Sequence, residues 1–379
     1  MAGGGGGGGE LAASTSVPAA EHDYDAEAEE EAEWLVSFCY DEAELLAERE
    51  RWMRQEQEKA RQEEHRRAQH ELWRQAFAAA IDRIRDFDPK QGGVYYTRCC
   101  FGVDFTKLDL DDESPLGPMR FTDRVYEPGD YWELCEAFNF LSVKIVSSDV
   151  GFPIDVCGTV IARDSLDHKC VYLFRCDRDH SQLINSEDES LVLTGPKRGI
   201  VSIDATYVEI DLKIKADGEH KDKELSKGYV DIRGARRATK RYELESRSLD
   251  TRLSTVEVIY GVVGGAVEAT IEAKVLRGEF YGEITASPVS IENNSLMLPD
   301  SKMTSVVHGK CTGAVQLSRP VVSVCLKDRL PVTIVSRIGD AKTEGTIHFA
   351  PRMNGRDEKE ISLGDIKMQI KVSWSLHDP

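Results

Sequence analysis

No stretch of this chain approaches the ~18 consecutive apolar residues that a membrane-crossing helix needs. No apolar leader opens it either: Met1 and Ala2 are followed by a glycine tract, Gly3 to Gly9. Cysteine is present nine times but at irregular spacings, and the odd count leaves one thiol over if all the others pair. These features predict reduced thiols and a cytoplasmic or nuclear protein. Positive charge is also short, with 48 Lys and Arg against 67 Asp and Glu. The excess of acid lies at the start, where residues 21–33 read EHDYDAEAEEEAE. Such a head repels phosphate backbones, which argues against general nucleic-acid binding. The nucleophile elbow G-x-S-x-G, the metalloprotease motif H-E-x-x-H and any Cys/His protease context are all missing.

Glycine and proline are absent from Glu31 to Phe87, a stretch rich in Glu, Arg, Gln and Ala. This composition predicts one long helix. Glu50/Arg54 and Glu63/Arg67 stand four apart, in the orientation that favours pairing. The middle, Arg54 to His70, is almost free of apolar residues and is expected to be solvated. Toward the end, Leu72, Trp73, Ala76, Phe77, Ala80, Ile81 and Ile84 form a stripe at helical spacing that must meet something. Asp88-Pro89 stops the helix, because the residue before proline avoids helical dihedrals. Tyr131 to Phe138 reads as a further short helix.

From Leu141 onward the polarity alternates with period two, the mark of half-buried strands. Val208, Ile210, Leu212 and Ile214 share one face, as do Val267, Ala269, Ile271, Ala273 and Val275, and Ile366, Met368, Ile370, Val372 and Trp374. About a dozen such segments, running from Ser142–Ser147 to Ile366–Trp374, predict antiparallel sheets. The gaps between them are too short and polar for crossover helices. Gly264-Gly265 reads as a hairpin turn. A weak internal echo relates Arg198-Gly199-Ile200-Val201-Ser202-Ile203 to Arg319-Pro320-Val321-Val322-Ser323-Val324, and Glu189–Leu193 to Asn294–Leu298.

Four groups of residues invite a chemical reading, and each has a plainer one. His168, Cys170, Cys176 and His180 are of zinc-ligand type. However, Cys170 and Cys176 flank a strand whose ends lie about 20 Å apart, too far to share one ion. Arg233, Arg236, Arg237, Lys240 and Arg241 form the densest basic cluster, but without the interleaved aromatics of a base-stacking surface. Gly195-Pro196-Lys197-Arg198-Gly199 lacks the spacing and the Lys-Ser/Thr of a phosphate loop and reads as a tight turn. Arg163-Asp164 ends a strand, where an arginine–carboxylate contact or a turn cap explains the acid better than general acid–base chemistry.

Gly158 to Asp164, Tyr172 to Arg175, Leu191 to Ile200, Ile210 to Lys215, Asp222 to Gly228 and Gln316 to Arg319 together resemble a plant family, abundant in cereal grasses, known as domain of unknown function 6598. The resemblance spans roughly residues 120–375 and implies a β domain without implying an activity. Related cereal proteins join this domain to a ribosome-inactivating one, so it also implies an alternative, ribosomal-RNA N-glycosidase chemistry. That chemistry needs a tyrosine pair and a Glu-x-x-Arg on a buried helix. The chain offers Tyr95-Tyr96 in a loop-like context, and Glu58/Arg61, Glu64/Arg67 and Glu71/Arg74 on the charged helix.

The expectation is a mainly β chain: an antiparallel sandwich or barrel-like domain over residues 120–379, preceded by a disordered tail over 1–30, a charged helical extension over 31–88 and a linker over 89–119. A non-enzymatic binding module is expected, with no catalytic, cofactor or metal residues. Its protein partners are expected to bind through loops or the acidic tail. The alternatives are an N-glycosidase-associated defence protein and a structural oligomer.

Overall fold

The computed structural model describes residues 41–99, 109–127, 133–203, 205–216, 221–232, 242–287, 303–338 and 341–377. The chain divides into two compact units between Arg74 and Gln75. The predicted helix is present as α1, Glu42–Ile84. Asp41 caps it, its Oδ1 accepting from Ala43 N at 2.9 Å. Both predicted pairs form, Arg54 to Glu50 at 3.1 Å and Arg67 to Glu63 at 2.8 Å. The hydrogen bond from Arg67, reinforced by its charge, holds the Glu63 carboxyl below its usual range. Of the apolar stripe, Ala80 and Ile84 are buried, whereas Leu72 and Trp73 remain exposed.

The second unit is built from antiparallel strands. β1 (Arg85–Asp88) and β2 (Gly93–Tyr96) form a hairpin closed by a short 3-10 turn, Pro89–Gln91. Then come β3 (Ala137–Ser148), β4 (Ile154–Arg163), β5 (Val171–Cys176), β6 (Gln182–Ile184), β7 (Ile200–Val201), β8 (Thr206–Ile214), β9 (Lys223–Ile232), β10 (Tyr242–Thr251) and β11 (Ser254–Val263). After a two-residue turn follow β12 (Ala266–Ala286), β13 (Met303–Val315), β14 (Val321–Cys325), β15 (Leu330–Ile338), β16 (Ala341–Phe349), β17 (Gly355–Leu363) and β18 (Ile366–Ser375). The expected fold class, mainly β with one preceding helix, is what the chain adopts.

Strand order reveals a repeated plan. One sheet runs β10-β11-β3-β7, and β17-β18-β12-β14 follows the same pattern. The other sheet of the first sandwich runs β5-β4-β8-β9, which β13-β12-β15-β16 repeats. The long strand β12 therefore does the work of both β3 and β4. Its first half pairs with β18 and β14, and its second half with β15. Between the halves it bends through Leu276–Tyr281, so one curled sheet encloses its own core.

The repeat extends to single residues. Gly158 opposes Leu212, and Gly282 opposes Ser336, at the same step of the matching ladders. Both have positive φ, 124° and 156°. A Cβ would come within 2.1 Å of Asp211 O at the first site and 1.9 Å of Val335 O at the second. Both sites need glycine because the backbone of the next strand occupies the side-chain position. The echo noted between Arg198–Ile203 and Arg319–Val324 falls on matching strands, since the arginines lead into β7 and β14. Its second half, Asn294–Leu298, lies outside the described residues.

Three expectations need correction. The helix stops at Ile84 rather than at Asp88-Pro89, because Arg85–Asp88 leaves it to pair with β2 as strand β1. Gly264-Gly265 makes a turn but not a hairpin, since β11 and β12 belong to different sheets. Ala137 and Phe138 open strand β3 rather than ending a helix, and residues 133–136 before them are non-helical. β3 is buried on both faces over Ala137–Val143, with Asn139 and Ser142 buried on the face opposite Phe138, Phe140 and Val143. One face packs in the first core with Phe138, Phe140, Val143 and Ile145. From the other face Leu141 joins the second core, around Trp374 and Phe280. Among the described residues no helix is long and apolar enough to cross a membrane.

Candidate functional site

The charged residues singled out in the sequence converge on a buried polar seam. Arg163, at the end of β4, places Nε 2.8 Å from Glu209 Oε1 and Nη2 3.0 Å from Oε2. Arg98 Nε adds a third contact at 3.0 Å and Cys99 N a fourth at 3.1 Å. Asp164 turns the other way and receives Arg198 through Nη1 at 2.6 Å and Nη2 at 2.8 Å. It also accepts Val201 N at 3.0 Å, which fixes the start of β7. The turn Gly195–Gly199 thus delivers an arginine to a carboxylate rather than amides to a phosphate.

The seam continues between the two repeats. Glu268 of β12 accepts Gly199 N and Met119 N, both at 2.7 Å. Asn139 of β3 exchanges two 2.8 Å hydrogen bonds with the backbone of Ser323 in β14. Arg319 donates to Gly195 O at 2.9 Å and to Phe140 O. The ring of His377 fills the space beside Gly199, where a Cβ would lie 2.2 Å from its Cε1. Burial, aided by the charges of Arg120 and Arg198, pulls His377 down to about 3. Burial also raises Glu268, against the two backbone donors that favour its ionised form. Arg319 is drawn down to about 10 by burial. A segment before β3 laces the assembly together. Ser114 N reaches Cys170 O at 2.8 Å in the first sandwich, and Phe121 N reaches Ser375 Oγ at 3.0 Å in the second.

On the outer face of the β5-β4-β8-β9 sheet lies a recess of about 260 Å³. Thr159, Asp211 and Lys227 stand side by side across β4, β8 and β9 and form its floor. They point away from the core because Val160 and Ile210, one step along, point into it. Ile161 and Tyr172 supply an apolar wall, and Arg98 and Asp111 close the rim. Lys227 Nζ is held by Glu224 at 3.1 Å, and Arg98 by Glu209 and Asp111. Asp211 Oδ1 is buried without a hydrogen-bond partner. A second, shallower recess of about 370 Å³ lies over β12 and β18, between Lys274, Gln316 and Lys371.

The remaining sequence candidates are dispersed. Cys170 is bound by Arg163 and by Leu110 O, and Cys176, at the far end of β5, donates to His180 O at 2.6 Å. Among the described residues no His, Cys, Asp and Glu cluster has the geometry of a metal site. Tyr95 and Tyr96 alternate across β2: Tyr95 Oη donates to Lys227 O at 2.8 Å, while Tyr96 is exposed. They cannot stack on one base together. The Glu-x-x-Arg pairs all sit on the exposed part of α1. The basic cluster Arg233 to Arg241 lies outside the described residues.

Glu209, Glu268, Asn139 and His377 went unremarked in the sequence. Each glutamate occupies a polar step of an alternating strand, where the period-two pattern assigns it to solvent. Single segments cover these positions locally instead, Arg98 and Cys99 over Glu209 and Met119 and Gly199 over Glu268, and no local signal reports it.

A family model described as Domain of unknown function (DUF6598) matches residues 137–372. The chain belongs to this family. The match opens on the first residue of β3 and closes inside β18, so the family's unit is the pair of repeats together. No curated protein matches the chain. Among solved structures, the C2A and C2B domains of extended-synaptotagmin 2 align at 11% identity over 68% of this chain and 97% of theirs, with a TM-score of 0.20. Human GIVD cytosolic phospholipase A2 aligns at 9% identity over 65% of this chain and 31% of its own, with a TM-score of 0.22. Likeness at this level carries no weight for either fold or function.

Proposed function

We propose that this chain is a non-enzymatic binding module, intracellular and of plant origin, whose binding surface is the outer face of the β5-β4-β8-β9 sheet. One observation carries the reading. The buried groups of acid–base type, Glu209, Asp164, Glu268 and His377, are committed to arginines, backbone amides and neighbouring packing, while the recess on the sheet face retains an unpaired polar atom. An enzyme's acid and base must reach a reacting atom. Groups engaged in this way lack that freedom: Glu209 alone of the four also lines the recess, and both its oxygens are taken by Arg163, Arg98 and Cys99 N. The acidic N-terminal tail gives the module a second contact, suited to a basic partner.

Saturation-transfer NMR on the full chain with a panel of small polar molecules tests the reading. Binding with the ligand spectrum unchanged over hours is expected. Chemical conversion of a bound ligand, or adenine release from intact ribosomes, sinks it.

A further inference from the structure

Resting on that reading, we propose that the recess formed by Thr159, Asp211 and Lys227 binds a small uncharged polyol of about the size of one sugar ring. The first ground is the unpaired oxygen. Asp211 Oδ1 is buried and accepts no hydrogen bond, although a lysine stands directly opposite on β9. That lysine is turned aside to Glu224 at 3.1 Å. A buried carboxylate oxygen calls for a donor.

The second ground is the charge around it. Lys227 and Arg98 line the recess beside three carboxylates, so a ligand carrying a full charge of either sign meets like charges as well as opposite ones. An anion meets Asp111, Glu209 and Asp211. A hydroxyl donates to the free carboxylate oxygen and accepts from lysine, arginine or threonine without either conflict. Polyols present such groups in series.

The third ground is size and shape. The recess, about 260 Å³, falls just below the ~300–1,000 Å³ of pockets for drug-sized ligands. It is of a size to accommodate one ring. Ile161 and Tyr172 give an apolar wall for the carbon face of that ring, with the Arg175 guanidinium lying 4.7 Å from the centre of the tyrosine ring.

Titration calorimetry on the full chain with D-glucose and myo-inositol, beside putrescine and inorganic phosphate, decides the matter. Saturable millimolar binding of at least one polyol is expected, weakened roughly tenfold or more by Asp211→Ala. Thr159→Val is the second variant and should weaken it in the same direction, so the test survives misfolding of the first. The proposal falls if neither polyol saturates, if putrescine or phosphate binds more tightly, or if a folded variant keeps full affinity. Saturable binding of another ligand class to the chain ends the polyol assignment and leaves the binding-module reading standing. Conversion of the bound polyol ends the non-enzymatic reading.

Discussion

Arg198 and Asp164 meet through two charge-assisted hydrogen bonds, of 2.6 and 2.8 Å, with neither side chain reaching solvent. The pair joins the end of β4 to the start of β7 and so ties the two sheets of the first sandwich. Removing one partner of such a pair strands a buried charge.

Arg198→Ala should therefore lower the unfolding free energy by about 3–5 kcal/mol, read by urea denaturation. Arg198→Lys keeps the charge but not the two-point contact and should fall between the two. A loss from Arg198→Ala below about 1 kcal/mol, the value of an exposed pair, contradicts this account.

The repeat predicts matched responses at matched glycines. Gly158→Ala and Gly282→Ala each drive a Cβ into a carbonyl oxygen, at 2.1 and 1.9 Å. Each should destabilise by more than about 2 kcal/mol, measured as a drop in melting temperature. Gly364→Ala is the contrast. Its φ is also positive, at 60°, but nothing lies within 4 Å, and only about 1 kcal/mol of backbone strain is expected. Equal effects at all three positions would remove the steric explanation.

Two seam residues give opposite pH dependence. His377 is held down at about 3 when folded, so its contribution is present above its ordinary value of 6.5 and is lost as pH falls from there toward 3. Glu268 is raised when folded, so its contribution is present below its ordinary value of 4.5 and is lost as pH climbs through its raised value. The slopes oppose one another in the wild type. Glu268→Gln should expose the histidine slope, with stability rising with pH by up to about 1.4 kcal/mol per unit between pH 4 and 6. His377→Gln should expose the reverse. Denaturation midpoints across this range would refute the assignment if both variants sloped the same way.

The boundary at Arg74 and Gln75 predicts that residues 75–379 keep their fold when the rest is removed. Their melting temperature should differ from that of the full chain by less than about 2 °C. Light scattering on both forms addresses assembly. Loss of a dimer or higher mass on truncation would restore the structural-oligomer alternative.

Legibility in the sequence followed the surroundings of each strand. β8 and β18, with one face in the core and one facing outward, showed their alternation plainly. β10 and β17, YELESRSLDT and GRDEKEISL, gave no strand signal. Both are edge strands, and charge at an edge discourages pairing with other chains. β12 read as two strands because Arg277–Glu279 breaks the apolar period, whereas the chain bends there without leaving the sheet. In the seam, the arginine contact at Asp164 followed from the chemistry of a carboxylate ending a strand, but its partner, Arg198, did not. Contacts made across 34 positions of chain depend on which sheet covers which, and that is set by the whole fold.

The two sandwiches differ where one has a loop and the other an unbroken strand. Between β3 and β4 the chain leaves the sheets for Asp149–Pro153, a surface segment that can lengthen or shorten without disturbing a ladder. At the matching point β12 continues through its bend at Leu276–Tyr281 without a loop, and its ladders change register there instead. The surface segment Asp149–Pro153 of the first half, where no ladder runs, is therefore the place in the tandem for an engineered graft.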